Sequence, residues 1–143
     1  MTNQQMPLET RLGFALIGII AGNVPLLIFC LLIRNGGFGF FALFAIFGSI
    51  PGWILVGIPI ALTFPTRLLA NAWWPIACLF IGAALGPLAL LIVFIVFSAL
   101  AGDFKNFSLA NAEVYWPLSI LVSTVSFLVY AALLRQRSVE QEL

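Results

Sequence analysis

Apolar residues run almost without interruption along four segments of the chain, and charged residues fall only outside them. The segments cover residues 12–33, 38–64, 73–100 and 116–134. A helix needs about 20 mostly apolar residues to cross the hydrocarbon core of a bilayer. Each segment is long enough for one crossing. The pattern therefore predicts an all-α chain with one membrane domain over residues 1–143, built as a bundle of four transmembrane helices.

The first segment has to be distinguished from a cleaved signal peptide. Its apolar stretch is longer than the ~7–15 residues typical of signal-peptide cores. It is followed by Arg34, Asn35 and two glycines instead of a small-residue cleavage site. We therefore expect the segment to remain in the protein as the first transmembrane helix.

The second predicted span is the least regular of the four. It contains Gly48, Pro51, Gly52, Gly57 and Pro59. A proline inside a helix removes a backbone hydrogen bond and kinks the helix. The segment is either a kinked helix buried in the bundle or a broken, re-entrant segment that lines a cavity. It is too short for two full crossings, which favours the kinked helix.

Glycines recur four residues apart in three of the four predicted spans. The pairs are Gly18 and Gly22, Gly48 and Gly52, and Gly82 and Gly86. Glycines at this spacing leave a flat strip along a helix, where a second helix backbone can approach closely. We therefore predict that all six are helix-packing positions. The partner helix could belong to this chain or to another protein.

The first and third predicted spans resemble each other. The Gly18 and Gly22 pair is followed by Pro25, and the Gly82 and Gly86 pair by Pro87. Both spans would cross the bilayer in the same direction. One interpretation is a parallel two-plus-two repeat, as found in some transporters. The other is chance similarity between two glycine-rich apolar sequences.

Asn23 is the deepest polar residue of the first predicted span. Its amide needs hydrogen-bond partners in an apolar surrounding. Pro25 leaves the carbonyl of Ala21 without its usual donor. We interpret Asn23 as a structural residue that repairs this kink or ties two helices together. The functional alternative is that it coordinates a ligand.

Hydroxyl groups line up along the fourth predicted span. Ser119, Ser123, Ser126 and Tyr130 are separated by four, three and four residues. This spacing places them on one face of a helix. Small hydroxyl residues commonly join membrane helices, and we predict that role here. The alternative is that the face lines a hydrated groove.

Composition supports a membrane location. The chain is 63% hydrophobic and 8% charged, whereas soluble domains carry about 25% charged residues. A soluble fold could not hide this much apolar surface from water. The net charge of +1 gives no reason to expect a nucleic-acid partner.

The sequence offers few groups for catalysis. It has no His, the side chain most often used to bind metals and move protons near neutral pH. No charged residue lies well inside a predicted span. Cys30 and Cys78 lie in apolar runs and are interpreted as small hydrophobic residues. We therefore expect no catalytic residue, no metal site and no cofactor.

The distribution of basic residues predicts an orientation in the membrane. With four crossings, both termini lie on the same side. That side carries Arg11, Arg67, Arg135 and Arg137, and the other side carries Arg34 and Lys105. Basic residues are enriched in cytoplasmic segments. We therefore expect an inner-membrane protein of a bacterium, with both termini in the cytoplasm.

These features favour a protein that works by binding. The main hypothesis is a non-catalytic accessory subunit of a membrane complex, or an immunity-type binder. Such a protein would contact another membrane protein, or a second copy of itself, through its transmembrane helices. The alternative is a small oligomeric channel or carrier for a small solute. A membrane enzyme ranks last because the reactive side chains are so few.

Overall fold

Four long helices make up most of the described part of the chain. The computed structural model describes residues 6–32, 37–101 and 115–140, and no strand occurs among them. Four helices are long and apolar enough to cross a membrane: Leu8–Leu32, Phe41–Thr63, Trp74–Leu100 and Tyr115–Val139, here called spans 1 to 4. The prediction of an all-α, four-helix transmembrane bundle is confirmed. The chain is an integral membrane protein.

Two helices extend beyond the apolar segments that predicted them. The helix of span 1 begins at Leu8 and contains Glu9 and Arg11. The helix of span 4 continues past Arg135 to Glu140. A charged side chain marks where the lipid-buried part ends, but it does not end the helix. Long basic side chains can extend along the helix to reach the polar surface.

Span 2 belongs to one continuous but irregular helix over residues 37–63. Its consecutive segments are Gly37–Phe44, Ala45–Ser49, Ile50–Gly52, Trp53–Gly57 and Ile58–Thr63, of which the second and fourth are wide π-turns.

Each wide turn lies just before a proline. The amide of Ile50 donates to the carbonyl of Ala45, five residues back, and Pro51 follows. The amide of Ile58 likewise donates to Trp53, and Pro59 follows. A proline ring collides with the preceding turn and supplies no N–H group, so the helix widens there. The structure thus contains the irregular continuous helix and not a broken, re-entrant segment.

Span 4 is the centre of the packing. Spans 1 and 3 each pack against it along much of their length, whereas span 2 packs on spans 1 and 3. Buried side chains form two clusters. The larger cluster, at the end of the bundle near both termini, includes Phe64, Phe127 and Leu134. The smaller cluster, at the opposite end, includes Leu26 and Phe44.

The end of span 2 is held by side chains from spans 1 and 4. Pro65 has no N–H to donate to the carbonyl of Ala61. The hydroxyl of Tyr130 donates to that carbonyl instead, at 2.5 Å. The guanidinium of Arg11 donates to the carbonyls of Leu62 at 2.9 Å and Phe64 at 3.3 Å. Three spans are therefore joined at the end of the bundle near both termini.

Candidate functional site

A cavity lies near the middle of the bundle, between span 2 and span 4. Its volume is about 100 Å³, and spans 1 and 3 form its sides. The polar side chains that line it are Ser49, Trp53, Ser119, Ser123, Ser126 and Tyr130. Among the described residues, none that lines the cavity is charged. The cavity is therefore a mostly apolar, uncharged space with a few polar side chains around it.

The hydroxyl face predicted on span 4 forms one wall of this cavity. The hydroxyl of Ser123 donates to the carbonyl of Gly82 on span 3 at 2.6 Å. The hydroxyls of Ser119 and Ser126 donate to carbonyls of their own helix at 2.8 and 2.6 Å. One serine thus links two helices. All three residues, together with Tyr130, line the cavity.

The glycines of span 1 bring its backbone against span 4. A Cβ atom added at Gly18 would lie 2.6 Å from the carbonyl oxygen of Ser126. A Cβ at Gly22 would overlap the hydroxyl of Ser126 and the carbonyl of Val122. No side chain fits between the two helices at these positions.

The glycines of span 3 meet the neighbouring face of span 4 in a similar way. A Cβ atom at Gly82 would lie 2.7 Å from the Cα of Thr124. A Cβ at Gly86 would overlap the carbonyl oxygen of Ser119. Corresponding glycines of spans 1 and 3 therefore face the same helix, within this chain.

The third glycine pair, on span 2, has a different environment. A Cβ at Gly52 would lie 3.3 Å from the Cβ of Ala89, a tight side-chain contact. A Cβ at Gly48 would meet only the ring of Phe44 in its own helix, at 3.7 Å. Both glycines line the cavity. Glycines four residues apart thus occur at two closely packed sites, on spans 1 and 3, and at one more loosely packed site, on span 2.

Asn23 joins span 1 to span 2. Its side-chain nitrogen donates to the carbonyl of Ile19 and to the hydroxyl of Ser49, both at 2.8 Å. The carbonyl of Ala21 is not among its described acceptors. The side-chain oxygen of Asn23 is buried and has no hydrogen-bond partner among the described residues. Ser49 also lines the cavity, so Asn23 helps to fix the position of the wall.

Two further buried polar atoms are found only in the structure. The indole nitrogen of Trp53 and the hydroxyl of Thr124 have no hydrogen-bond partner among the described residues. The ring of Trp53 lines the cavity. Sequence analysis did not single out Trp53. The available signal was its position in mid-span, since membrane tryptophans concentrate at the two interfaces.

The serines of the site are engaged in structural hydrogen bonds. A serine hydroxyl becomes a nucleophile when a neighbouring base removes its proton. The hydroxyls of Ser119, Ser123 and Ser126 are instead hydrogen-bonded to backbone carbonyls. Among the described residues, no three His, Cys, Asp or Glu side chains are grouped so that they could hold a metal. Cys30 and Cys78 are free and buried.

No protein-family model matches the chain, and neither does any curated protein or solved structure. Function is therefore inferred from the cavity and the residues around it.

Proposed function

We propose that this protein is a non-catalytic membrane protein that takes up a small uncharged molecule between spans 2 and 4, as a channel or carrier. The central cavity is the observation that supports this function. Polar groups are costly in hydrocarbon unless they find partners. In this chain one such group, the indole N–H of Trp53, belongs to a residue that lines a space of about 100 Å³ and has no partner among the described residues. A small solute in that space could offer it an acceptor.

The glycine strips no longer favour a partner protein. The closest approaches to Gly18, Gly22, Gly82 and Gly86 all come from span 4 of the same chain. These strips are therefore already covered, and a second protein would have to bind elsewhere. This observation ranks the channel or carrier above the accessory subunit.

The accessory subunit, or immunity-type binder, remains the second candidate. Its support is the broad apolar surface of the bundle, where Leu32 is 79%, Phe80 73% and Phe29 51% exposed. Lipid or the helices of a partner protein can cover such a surface. Gentle extraction from native membranes, followed by mass spectrometry, would test this candidate. A partner at fixed stoichiometry would favour it over the carrier.

We further propose that the protein lies in a bacterial inner membrane with both termini in the cytoplasm. Arg11 contacts the end of span 2, and Arg135 lies 5.4 Å from the ring centre of Trp74 at the start of span 3. These contacts place two arginines at the same end of the bundle, which is the expected cytoplasmic pattern. Reporter fusions at Gln141 and Asn106 test the orientation. A periplasmic reporter that is active at Gln141 would reverse it.

Cysteine labelling tests whether the cavity is hydrated. Ala89 lines the cavity, and the neighbouring Leu88 is exposed on the outer surface of span 3. Thiol reagents attack the thiolate form, which requires a polar surrounding. We expect Ala89→Cys to react with methyl methanethiosulfonate about tenfold faster than Leu88→Cys. Equal rates would contradict a hydrated cavity.

Native cysteines should not obscure this measurement. Cys30 and Cys78 are each only 1% exposed, so the unmodified protein gives the background rate. Each variant is compared with that background after its melting temperature in detergent has been checked.

A further inference from the structure

We infer that one hydrocarbon chain of a bilayer lipid lies in an apolar groove between spans 2 and 3, at the end of the bundle opposite both termini. The groove has a volume of about 260 Å³ and adjoins the central cavity, because Phe44, Gly48 and Leu90 line both spaces. The inference goes beyond the proposed function, since the groove is a second site with a different occupant.

The lining of the groove matches an apolar ligand. Among the described residues, none that lines it is charged. Five of the lining side chains are aromatic rings, contributed by Phe44, Phe47, Phe94, Phe97 and Tyr115. Aliphatic and aromatic side chains bind through dispersion contacts and gain little from a polar ligand.

The groove is continuous with the surface that contacts lipid. Leu43, Phe47 and Phe97 line the groove and are also exposed on the outside of the bundle. In an integral membrane protein, lipid chains cover such exposed side chains. Leu90 and Val93, which also line the groove, are buried. A lipid chain can therefore pass from the outer surface to these buried residues along an apolar path.

The groove also has the depth of one leaflet. Leu90 lies ten residues before Leu100, where span 3 ends. Ten residues of helix measure about 15 Å, which is half of the ~30 Å hydrocarbon core. Tyr115 lines the groove and begins span 4, and tyrosines are typical of the membrane interface. The groove therefore runs from the interface to the middle of the bilayer, as an acyl chain does.

The volume fits a single chain. An engineered cavity of about 150 Å³ holds benzene, which corresponds to about 25 Å³ per carbon atom. By this scale the groove of about 260 Å³ holds on the order of ten carbon atoms. Left empty, its walls would lose their dispersion contacts, and the bilayer core has no water to fill it. An acyl chain supplies those contacts.

Photolabelling tests the site in the intact protein. The protein is reconstituted in phosphatidylcholine vesicles, in which a small fraction of the lipid carries a diazirine near the methyl end of one acyl chain. Labelled residues are then mapped by mass spectrometry. Leu90 is 6% exposed, whereas Leu88 on the same span is 47% exposed. We expect the label yield at Leu90 to be within about threefold of that at Leu88, because a chain in the groove contacts Leu90 directly.

A leucine at position 48 should fill part of this space. A Cβ atom at Gly48 would meet only the ring of Phe44, at 3.7 Å, so a larger side chain has room. We expect Gly48→Leu to lower the labelling of Leu90 relative to Leu88 by about half or more, since four carbon atoms occupy on the order of 100 Å³. Gly39→Leu is the matched control, because Gly39 is exposed on the same helix and does not line the groove. It should leave the labelling unchanged.

Three results would overturn the inference. Strong label at Leu88 with only background at Leu90 would show that lipid stays outside the bundle. Label at Leu88 but not at Leu43, at the mouth of the groove, would show that a protein covers the groove. Equal labelling of Leu90 in the Gly48→Leu and Gly39→Leu proteins would show that the label does not enter through the groove.

The unmodified protein keeps the test decisive if a variant fails to fold. Circular dichroism and the melting temperature check both variants, and the comparison of Leu90 with Leu88 needs no substitution. The proposed function is tested separately, by the labelling of Ala89→Cys, so either proposal can fail while the other stands.

Discussion

Span 4 and span 2 form opposite walls of one cavity, and they pack in opposite ways. Against span 4, neighbouring helices approach so closely that a methyl group would not fit at Gly22 or Gly86. Against span 2, contacts are made by large side chains, such as the Phe47 ring, 5.9 Å from that of Phe97. Close backbone packing leaves little room for adjustment, whereas side-chain packing around wide turns leaves space. The cavity lies where the two kinds of packing meet.

Glycine-to-alanine variants should show the largest difference between the two walls, measured as the change in the free energy of unfolding. Gly22→Ala and Gly86→Ala each insert a methyl group into a backbone contact. We expect each to lower the free energy of unfolding by about 1–3 kcal/mol. Gly48→Ala adds the same methyl group where the nearest atom is 3.7 Å away. It should leave stability unchanged or slightly raised, because alanine favours helix more than glycine does.

Unfolding in detergent by a graded denaturant would measure these differences. Equal losses in all three variants would show that the two walls do not differ in packing. The bulkier Gly18→Ile and Gly82→Ile should also reduce the yield of folded protein, whatever the outcome for alanine.

Removal of one hydroxyl should loosen span 2 from span 4. Tyr130→Phe leaves the carbonyl of Ala61 without a donor, because Pro65 cannot supply one. A buried polar group that loses its partner costs about 1–3 kcal/mol. We expect a lower free energy of unfolding, with faster labelling of Ala89→Cys as span 2 moves outward. An unchanged labelling rate would show that Tyr130 does not control the width of the cavity.

The smallest expected effect is at Asn23. Asn23→Ala removes hydrogen bonds to Ile19 and Ser49 but also removes a buried oxygen that has no described partner. Interhelical hydrogen bonds in membrane proteins contribute about 0.6 kcal/mol on average. We expect a loss of this size, with any loss of function in proportion. Lost solute binding with unchanged stability would instead assign Asn23 to the ligand.

Hydropathy was sufficient to predict the four crossings, because an unbroken apolar run of this length has few other uses. It could not predict the helix ends. Arg11 and Arg135 interrupt the apolar pattern, yet both lie inside helices. Arg11 also donates to two carbonyls at the end of span 2. They belong to Leu62 and Phe64, which lie 51 and 53 positions further along the chain.

The glycine pattern indicated where a helix surface is flat, but it did not indicate which neighbouring helix would pack against that surface. The spacing of Gly18 and Gly22 equals that of Gly48 and Gly52, but only the first pair faces a helix backbone at short distance. Spacing describes one surface of one helix, and the neighbour depends on how all four helices assemble. Trp53 was missed although its mid-span position was a signal, because hydropathy alone does not distinguish an aromatic residue from the other residues of an apolar run.

The hydrogen bonds from Tyr130 and Arg11 to the end of span 2 have a consequence for how the protein is made. Ribosomes deliver span 2 to the membrane before span 4, so the carbonyl of Ala61 must wait for the hydroxyl of Tyr130. Until then, only Arg11 of the earlier helix is present to bind this end. Span 2 gains this hydrogen bond only after span 4 has inserted. A chain truncated before Tyr130 would lack it.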